Sequence, residues 1–422
     1  MKTETLAIQA GYNKDSNGTM SVPIYQTTAY DFGSAEVAAN RFALAEFGPI
    51  YTRLNNPTTD VFEARIAAIE EGAGAVAVAS GQAASYFAVL NVTQSGENII
   101  VAKKIYGGSA TLLTHTIKRL GIEARIFDSD SADDLEKLID DKTRAIYFET
   151  LSNPQLAIPN IEKIVEIAKK YKIVTIADNT VATPYLFKPF KYGIDVVVHS
   201  ASKYICGNGT AIGGAIVERN GITDILKDNP RYSHFNEPDE SYHGLVYAGL
   251  PLPIFTLRVR LSLIRDIGAA ISPFNSWLLI QGLETLHLRI KEHSNNALKV
   301  AHFLQANKAV KVVNYPGLEK DVGYKRAQKY FKDGLSSGLL SFEVESFEKA
   351  KNILNSVKIF SIVVNIGDTK SIITHPASTT HQQISTDELI KQGVSPALIR
   401  LSVGLENTDD LIEDLKQALE RS

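Results

Sequence analysis

The chain has 422 residues, of which 44% are hydrophobic, 22% charged and 8% aromatic, a profile of a globular protein with two or three domains and not of a disordered or fibrous one. A formal net charge of -3 gives no electrostatic reason to expect nucleic acid or an anionic membrane as a partner, and no apolar run approaches membrane-spanning length. A single cysteine, Cys206, excludes an internal disulfide framework and, with no signal-peptide core in MKTETLAIQA, points to a cytoplasmic location.

Residues 1–60 show weak periodicity and many turn residues, as in NNPTT, and read as an extended arm lying on something else. From residue 61 a rhythm begins: helical VFEARIAAIEEG, the short strand AVAVAS, then helical GQAASYFAVLNVTQ. NIIVAK, EARIF, RAIYFET, IVTIADNT, DVVVHS and GGAIVE follow as β-rich runs, most of them separated by helical patterns such as IEKIVEIAKKY. Nearly continuous apolar strands alternating with helices predict an α/β fold, a mostly parallel sheet covered on both faces. Residues 224–253, rich in Pro, Asn, Asp and aromatics, read as a long ordered loop. A long helical stretch from Phe255 to FLQ comes next. LLSFEVE, helical FEKAKNILNSV, IFSIVVN, SIITH, LIRLSV and the final helix DDLIEDLKQALE then predict a smaller α+β domain. The expected division is an arm over 1–60, a large domain over 61–268 and a C-terminal domain over 269–422.

Ligands in such sheets gather beyond the carboxyl ends of the strands. After AVAVAS comes Ser80-Gly81-Gln82, a helix start whose free N–H groups can hold an anion, although a plain small-residue cap explains it as well. After IVTIA comes Asp178, by itself more readily a cap than a partner for a protonated ring nitrogen. After DVVVHS comes Lys203, among Ser200, Ser202 and the glycines of CGNG. Desolvation there would lower the lysine's pKa and make its amine nucleophilic. Cys206 reads as a small buried hydrophobe. Tyr106 could be core or could stack on a flat ligand. Arg400, alternating with Ile399 and Leu401, could lie on a polar face or capture a carboxylate. His375 and His381 lack metal-ligand spacing and Cys or Glu neighbours, so no metal is expected. Each signal is weak alone. As a set they describe a pyridoxal 5'-phosphate site: a lysine for a Schiff base, an anion cradle, an acid for a ring nitrogen, an aromatic to stack and an arginine for a substrate carboxylate.

The motifs ETLAIQAGY, VPIYQTTAYDF, YTRLNNPTTDVFE, VASGQAA, FETLSNP, IADNT, HSASKYICGNG, QGLETLHLR and IRLSVGLE are similar to those of the Cys/Met-metabolism (trans-sulfuration) pyridoxal-phosphate enzymes, the cystathionine γ-synthase/methionine γ-lyase family. The loop FNEPDESYHGLVY and the stretch NIGDTKS resemble its O-acetylhomoserine sulfhydrylase branch. The resemblance implies the fold type I (aspartate aminotransferase-like) transferase architecture. It also implies roles at matching positions: Lys203 as the Schiff-base lysine, Asp178 against the pyridine nitrogen, Tyr106 stacked on the ring and Asn153 at the ring hydroxyl. Gly81, Gln82, Ser200 and Ser202 would hold the phosphate, joined by Tyr51 and Arg53 reaching from the arm of a neighbouring subunit. Arg400 would bind the substrate α-carboxylate, with Asn365 beside it. Gly107 departs from the methionine γ-lyases, which typically carry cysteine there, and Asn365 stands where many relatives have serine. The implied reaction is γ-replacement, in which O-acetyl-L-homoserine and sulfide or methanethiol give L-homocysteine or methionine plus acetate. The alternatives are methionine γ-lyase or cystathionine γ-synthase activity, or, from another class, a non-catalytic cofactor-binding protein. The family further implies a homo-oligomer, a tetramer built from dimers with shared active sites.

Overall fold

The computed structural model describes residues 1–379 and 394–421. Residues 1–56 form two short helices, α1 (Thr3–Gln9) and α2 (Ala35–Phe42), within otherwise irregular chain, and residues 57–60, read as the end of the arm, already belong to a third helix. Ala7 of α1 is buried and Glu4 is ion-paired to Lys332 at 2.7 Å, whereas α2 buries no residue at all. Helix α3 (Pro57–Glu70) starts where the Asn56 side chain caps the Thr58 N–H and Pro57 supplies a ready-made helical φ; it stops at Glu71 in a left-handed conformation.

Strand β1 (Gly74–Val78) and helix α4 (Gly81–Leu90) come next, followed by β2 (Asn98–Ala102), β3 (Glu123–Phe127) and β4 (Thr143–Glu149). Helix α5 (Ile161–Tyr171) turns Ile161, Ile164, Val165 and Ala168 inward and leads to β5 (Val174–Asp178), β6 (Val196–Ser200) and β7 (Gly214–Glu218). These seven strands form one sheet in the order β1-β7-β6-β5-β4-β2-β3. All neighbours run parallel except β7, which is antiparallel to both β1 and β6. The reason β6 and its neighbours carry unbroken valine and isoleucine runs is burial on both faces: Val196, Val197 and Val198 are all in the core.

Helix α6 (Pro273–Ala306) is capped by Ser272 and links two cores. Its first half gives Leu279, Ile280, Leu283, Leu286 and Ile290 to the core of the large sheet; its second half gives Ala297, Val300, Ala301 and Leu304 to the other. The second core lies against β8 (Val312–Asn314), β9 (Leu339–Glu343), β10 (Ser361–Ile362), β11 (Ile372–Thr374) and β12 (Leu398–Ser402), ordered β10-β11-β12-β9-β8. Helices α7 (Phe347–Ser356) and α8 (Thr408–Glu420) complete it.

Three segments differ from the sequence reading. Residues 224–253, read as a long ordered loop, contribute to the core: Tyr232, Phe235 and Tyr247 are fully buried. The Asn229 side chain satisfies local backbone groups, and the Tyr232 hydroxyl donates to Arg144 O and accepts from the Val174 N–H, closing off the ends of β4 and β5. The helical stretch from Phe255 is interrupted, because Gly268 and Ala269 take positive φ before Ser272-Pro273 restarts a helix. IFSIVVN pairs only through Ser361 and Ile362, since Val364 and Asn365 turn away to line a cavity.

Candidate active site

The tips of β4, β5 and β6 share one edge of the large sheet: Glu149 is the register partner of Asp178, and Asp178 that of Val198. A cavity of about 260 Å³ opens there, at the junction with the smaller sheet. Ten of the expected residues line it: Gly81, Gln82, Tyr106, Asn153, Asp178, Ser200, Ser202, Lys203, Asn365 and Arg400.

Lys203 sits in a tight turn after β6, in which the Cys206 N–H bonds to Ala201 O and the Gly207 N–H to Lys203 O. Arg289 of α6 anchors that turn by donating to Tyr204 O at 2.7 Å. Gly207 is required: its φ is +76°, and a Cβ there would overlap the Arg289 guanidinium. The Lys203 Nζ donates to Asn365 Oδ1 at 2.6 Å. Burial, and then the nearby Arg400, hold its pKa below the usual lysine range.

Asp178 is half-buried at the strand tip, and desolvation pushes its pKa up, while the hydrogen bonds from Thr180 act against that shift. Its Oδ1 accepts the Thr180 N–H at 2.9 Å, and among the described residues no lysine or arginine is paired with it. Such a carboxylate is poised for a cationic or proton-donating ligand. Arg400, on β12 of the smaller sheet, is 4% exposed, and burial lowers its pKa to about 10. It donates to Asn153 Oδ1 and to Asn365 O, both at 3.0 Å, while its buried Nε has no partner. A buried guanidinium with no carboxylate partner among the described residues is an anion receptor.

At the opposite wall, Ser80 caps α4 through the Ala83 N–H, leaving the first N–H groups of the helix without intrahelical partners. Gly81 lets this helix end approach β6: a Cβ there would overlap the Ser200 side chain. Gln82 donates to Gly108 O at 3.1 Å, and the Ser202 hydroxyl accepts the Gly213 N–H at 3.0 Å. Tyr106, 38% exposed, stands at the mouth, with Gly108 packed under its ring.

Tyr51 and Arg53 do not line the cavity. Arg53 lies over the Tyr51 ring, 5.5 Å from its centroid, and donates to Arg265 O. Cys206 is buried beside Thr210. His375 is held by Pro396 O and Ser378 Oγ, and His381 lies outside the described residues. Among the described residues no cluster of His, Cys, Asp and Glu is arranged to hold a metal ion, and no helix is long and apolar enough to cross a membrane.

Ser80, named with Gly81 and Gln82 at the helix start, also lines the cavity, while sequence reasoning missed Ser109, Glu149 and Thr180 as cavity residues. Glu149 and Thr180 sit at or just beyond strand tips, so the same search of strand ends could have found them. Ser109, Ile212 and Val364 enter only through tertiary packing and carry no local signal.

A family model described as Cys/Met metabolism PLP-dependent enzyme matches residues 4–420. An O-acetyl-L-homoserine sulfhydrylase of Leptospira meyeri is 46% identical over 99% of this chain and 96% of its own length. A crystal structure from Campylobacter jejuni subsp. jejuni, of a protein assigned as an O-acetylhomoserine (thiol)-lyase and bearing a pyridoxyl-lysine phosphate, is 55% identical. It superposes with a TM-score of 0.98, covering 100% of both chains. A cystathionine γ-lyase of Lactobacillus plantarum, solved with L-serine, is 30% identical with a TM-score of 0.85, covering 100% of this chain and 99% of its own.

Proposed function

The chain belongs to the PLP-dependent enzymes of Cys/Met metabolism, and from that premise we propose that it is a transferase exchanging the acetate of O-acetyl-L-homoserine for sulfide or methanethiol, giving L-homocysteine or methionine. The observation that carries the reading is the convergence of Lys203, Asp178 and Arg400 on one cavity, drawn from both sheets. The residues fit pyridoxal phosphate. The α4 end, closed against Ser200 at Gly81, suits a phosphate; Asp178, unpaired with any lysine or arginine among the described residues, suits a protonated ring nitrogen; Tyr106 offers a ring face; Asn153 offers a polar group for the ring hydroxyl.

Bound there, the cofactor supplies an aldehyde that condenses with amines and a protonated ring that draws electrons from the carbon beside the amine. Asp178 would keep the ring nitrogen protonated by setting a negative charge against it. Lys203 would hold the cofactor through its amine. That amine, with a pKa lowered by burial, would take the Cα proton, release it, and only then take one from Cβ, both carbons regaining a proton once the sulfur is in place. Asn365 holds that amine in place through Oδ1, and Arg400 fixes the substrate by its α-carboxylate. Acetate departs from Cγ and the incoming sulfur bonds to the same carbon. The thiol proton leaves with acetate, so O-acetylhomoserine and hydrogen sulfide become homocysteine and acetic acid.

The working form is proposed to be a cytoplasmic homotetramer of dimers with shared sites. Exposed Met20, Phe42, Phe47 and Tyr51 on the arm support an oligomer, as does the position of Tyr51 and Arg53 away from this chain's own cavity. The test is product identification with purified protein. Homocysteine from O-acetylhomoserine and sulfide supports the proposal, whereas ammonia and an α-keto acid from methionine, without homocysteine formation, would replace it with γ-lyase chemistry. Absence of any α-proton exchange would leave only a cofactor-binding protein.

A further inference from the structure

Glu149 ends β4 beside Asp178, so two carboxylates stand together at the sheet edge. It is 5% exposed, and among the described residues no lysine or arginine is paired with it. Its Oε1 accepts the Tyr106 N–H at 2.7 Å and its Oε2 the Asn153 N–H at 3.1 Å. Burial, then Asp178, push its carboxyl well above the usual range, while the two N–H donors pull the other way. A carboxylate in this position costs stability, so packing does not account for it. Its two acceptor oxygens do. Glutamine would satisfy one N–H and turn its own NH2 toward the other, and an apolar residue would leave both donors buried and unpaired.

We propose that Glu149 is a positioning residue that clips the loop after β2 and the loop after β4 to the sheet edge, fixing Tyr106 and Asn153 together. Asn153 passes the constraint on, because its Oδ1 accepts from Arg400 at 3.0 Å. One side chain thus sets the ring that closes the cavity mouth and the acceptor that aims the guanidinium. What those two residues contact rests on the function proposed above; the clip itself rests on the two hydrogen bonds.

The test uses the enzyme loaded with pyridoxal phosphate and reads both kinetics and the circular dichroism induced in the bound cofactor, which reports how its ring is held. Glu149→Gln is expected to lower kcat/KM for O-acetylhomoserine about ten-fold or more, with KM rising, and to weaken the induced dichroism. Its loss should be less than additive with that of Arg400→Lys if the coupling runs through Asn153. Wild-type KM and dichroism in Glu149→Gln, or full additivity, would overturn the proposal. Should that variant not fold, Glu149→Asp decides: its shorter arm cannot span both N–H groups, so wild-type values there have the same overturning force. A wild-type protein that binds cofactor but ignores O-acetylhomoserine would sink the substrate assignment, while the dichroism would still test the clip.

Discussion

Replacing Arg400 by lysine keeps the charge but removes the fork. In the protein the guanidinium is buried, holds Asn153 Oδ1 and Asn365 O at 3.0 Å each, and remains cationic at neutral pH with its pKa lowered to about 10. A lysine ammonium is a point charge that cannot hold both acceptors and still offer two parallel N–H groups to a carboxylate. Losing one charge-assisted hydrogen bond is worth about 1.5–3 kcal/mol, or about 10- to 150-fold in kcat/KM. The α-carboxylate is held throughout the reaction, so the loss is expected mainly in KM for the amino acid, with kcat falling less. Steady-state rates of homocysteine formation, with O-acetylhomoserine varied at saturating sulfide and then the reverse, separate the two. A KM for the amino acid within about two-fold of wild type, or an equal rise in the KM for sulfide, would refute the assignment of Arg400 to the carboxylate.

Asp178→Asn should retain bound cofactor, yet slow exchange of the substrate α-proton with solvent by about a hundred-fold or more, the scale of a lost electrostatic contact in a dry site; an unchanged exchange rate would remove Asp178 from the mechanism. Lys203 makes a prediction about pH. Its folded pKa lies below the ordinary 10.5 because of burial and then Arg400. Between the two values the unfolded chain binds more protons, so stability of the cofactor-free protein rises with pH across that window, and the burial penalty is present in full below it. Lys203→Met, melted without cofactor, should therefore be more stable than wild type near neutrality, and the gap should close as pH passes 10.5; a lower melting temperature at neutral pH would contradict the sign.

Much of the fold was legible because its signals are local. The β-rich runs of the large sheet and the helices over VFEARIAAIEEG, GQAASYFAVLNVTQ and IEKIVEIAKKY follow from side-chain periodicity, which a linear reading can see, although the first of them starts four residues earlier than read, at Pro57. Lys203 and Asp178 stood out because the tips of buried strands are where a parallel sheet exposes chemistry. The segment around Tyr232 and Phe235 was misjudged because its burial comes from contacts with the ends of distant strands, which composition does not encode.

By itself, then, the sequence determined which residue types were available and at which strand ends they would stand, since alternation and capping act over a few residues. Only the tertiary structure decided that Arg400 of the smaller sheet and Asn365, just past its strand β10, meet Lys203, Asp178 and Asn153 at the tips of the larger, and that Glu149 holds two loops with one carboxylate. Apart from Glu149 with Asn153, four residues away, those meetings span tens to hundreds of residues, and the ones between sheets depend on how helix α6 joins the two cores and seats the second sheet against the first.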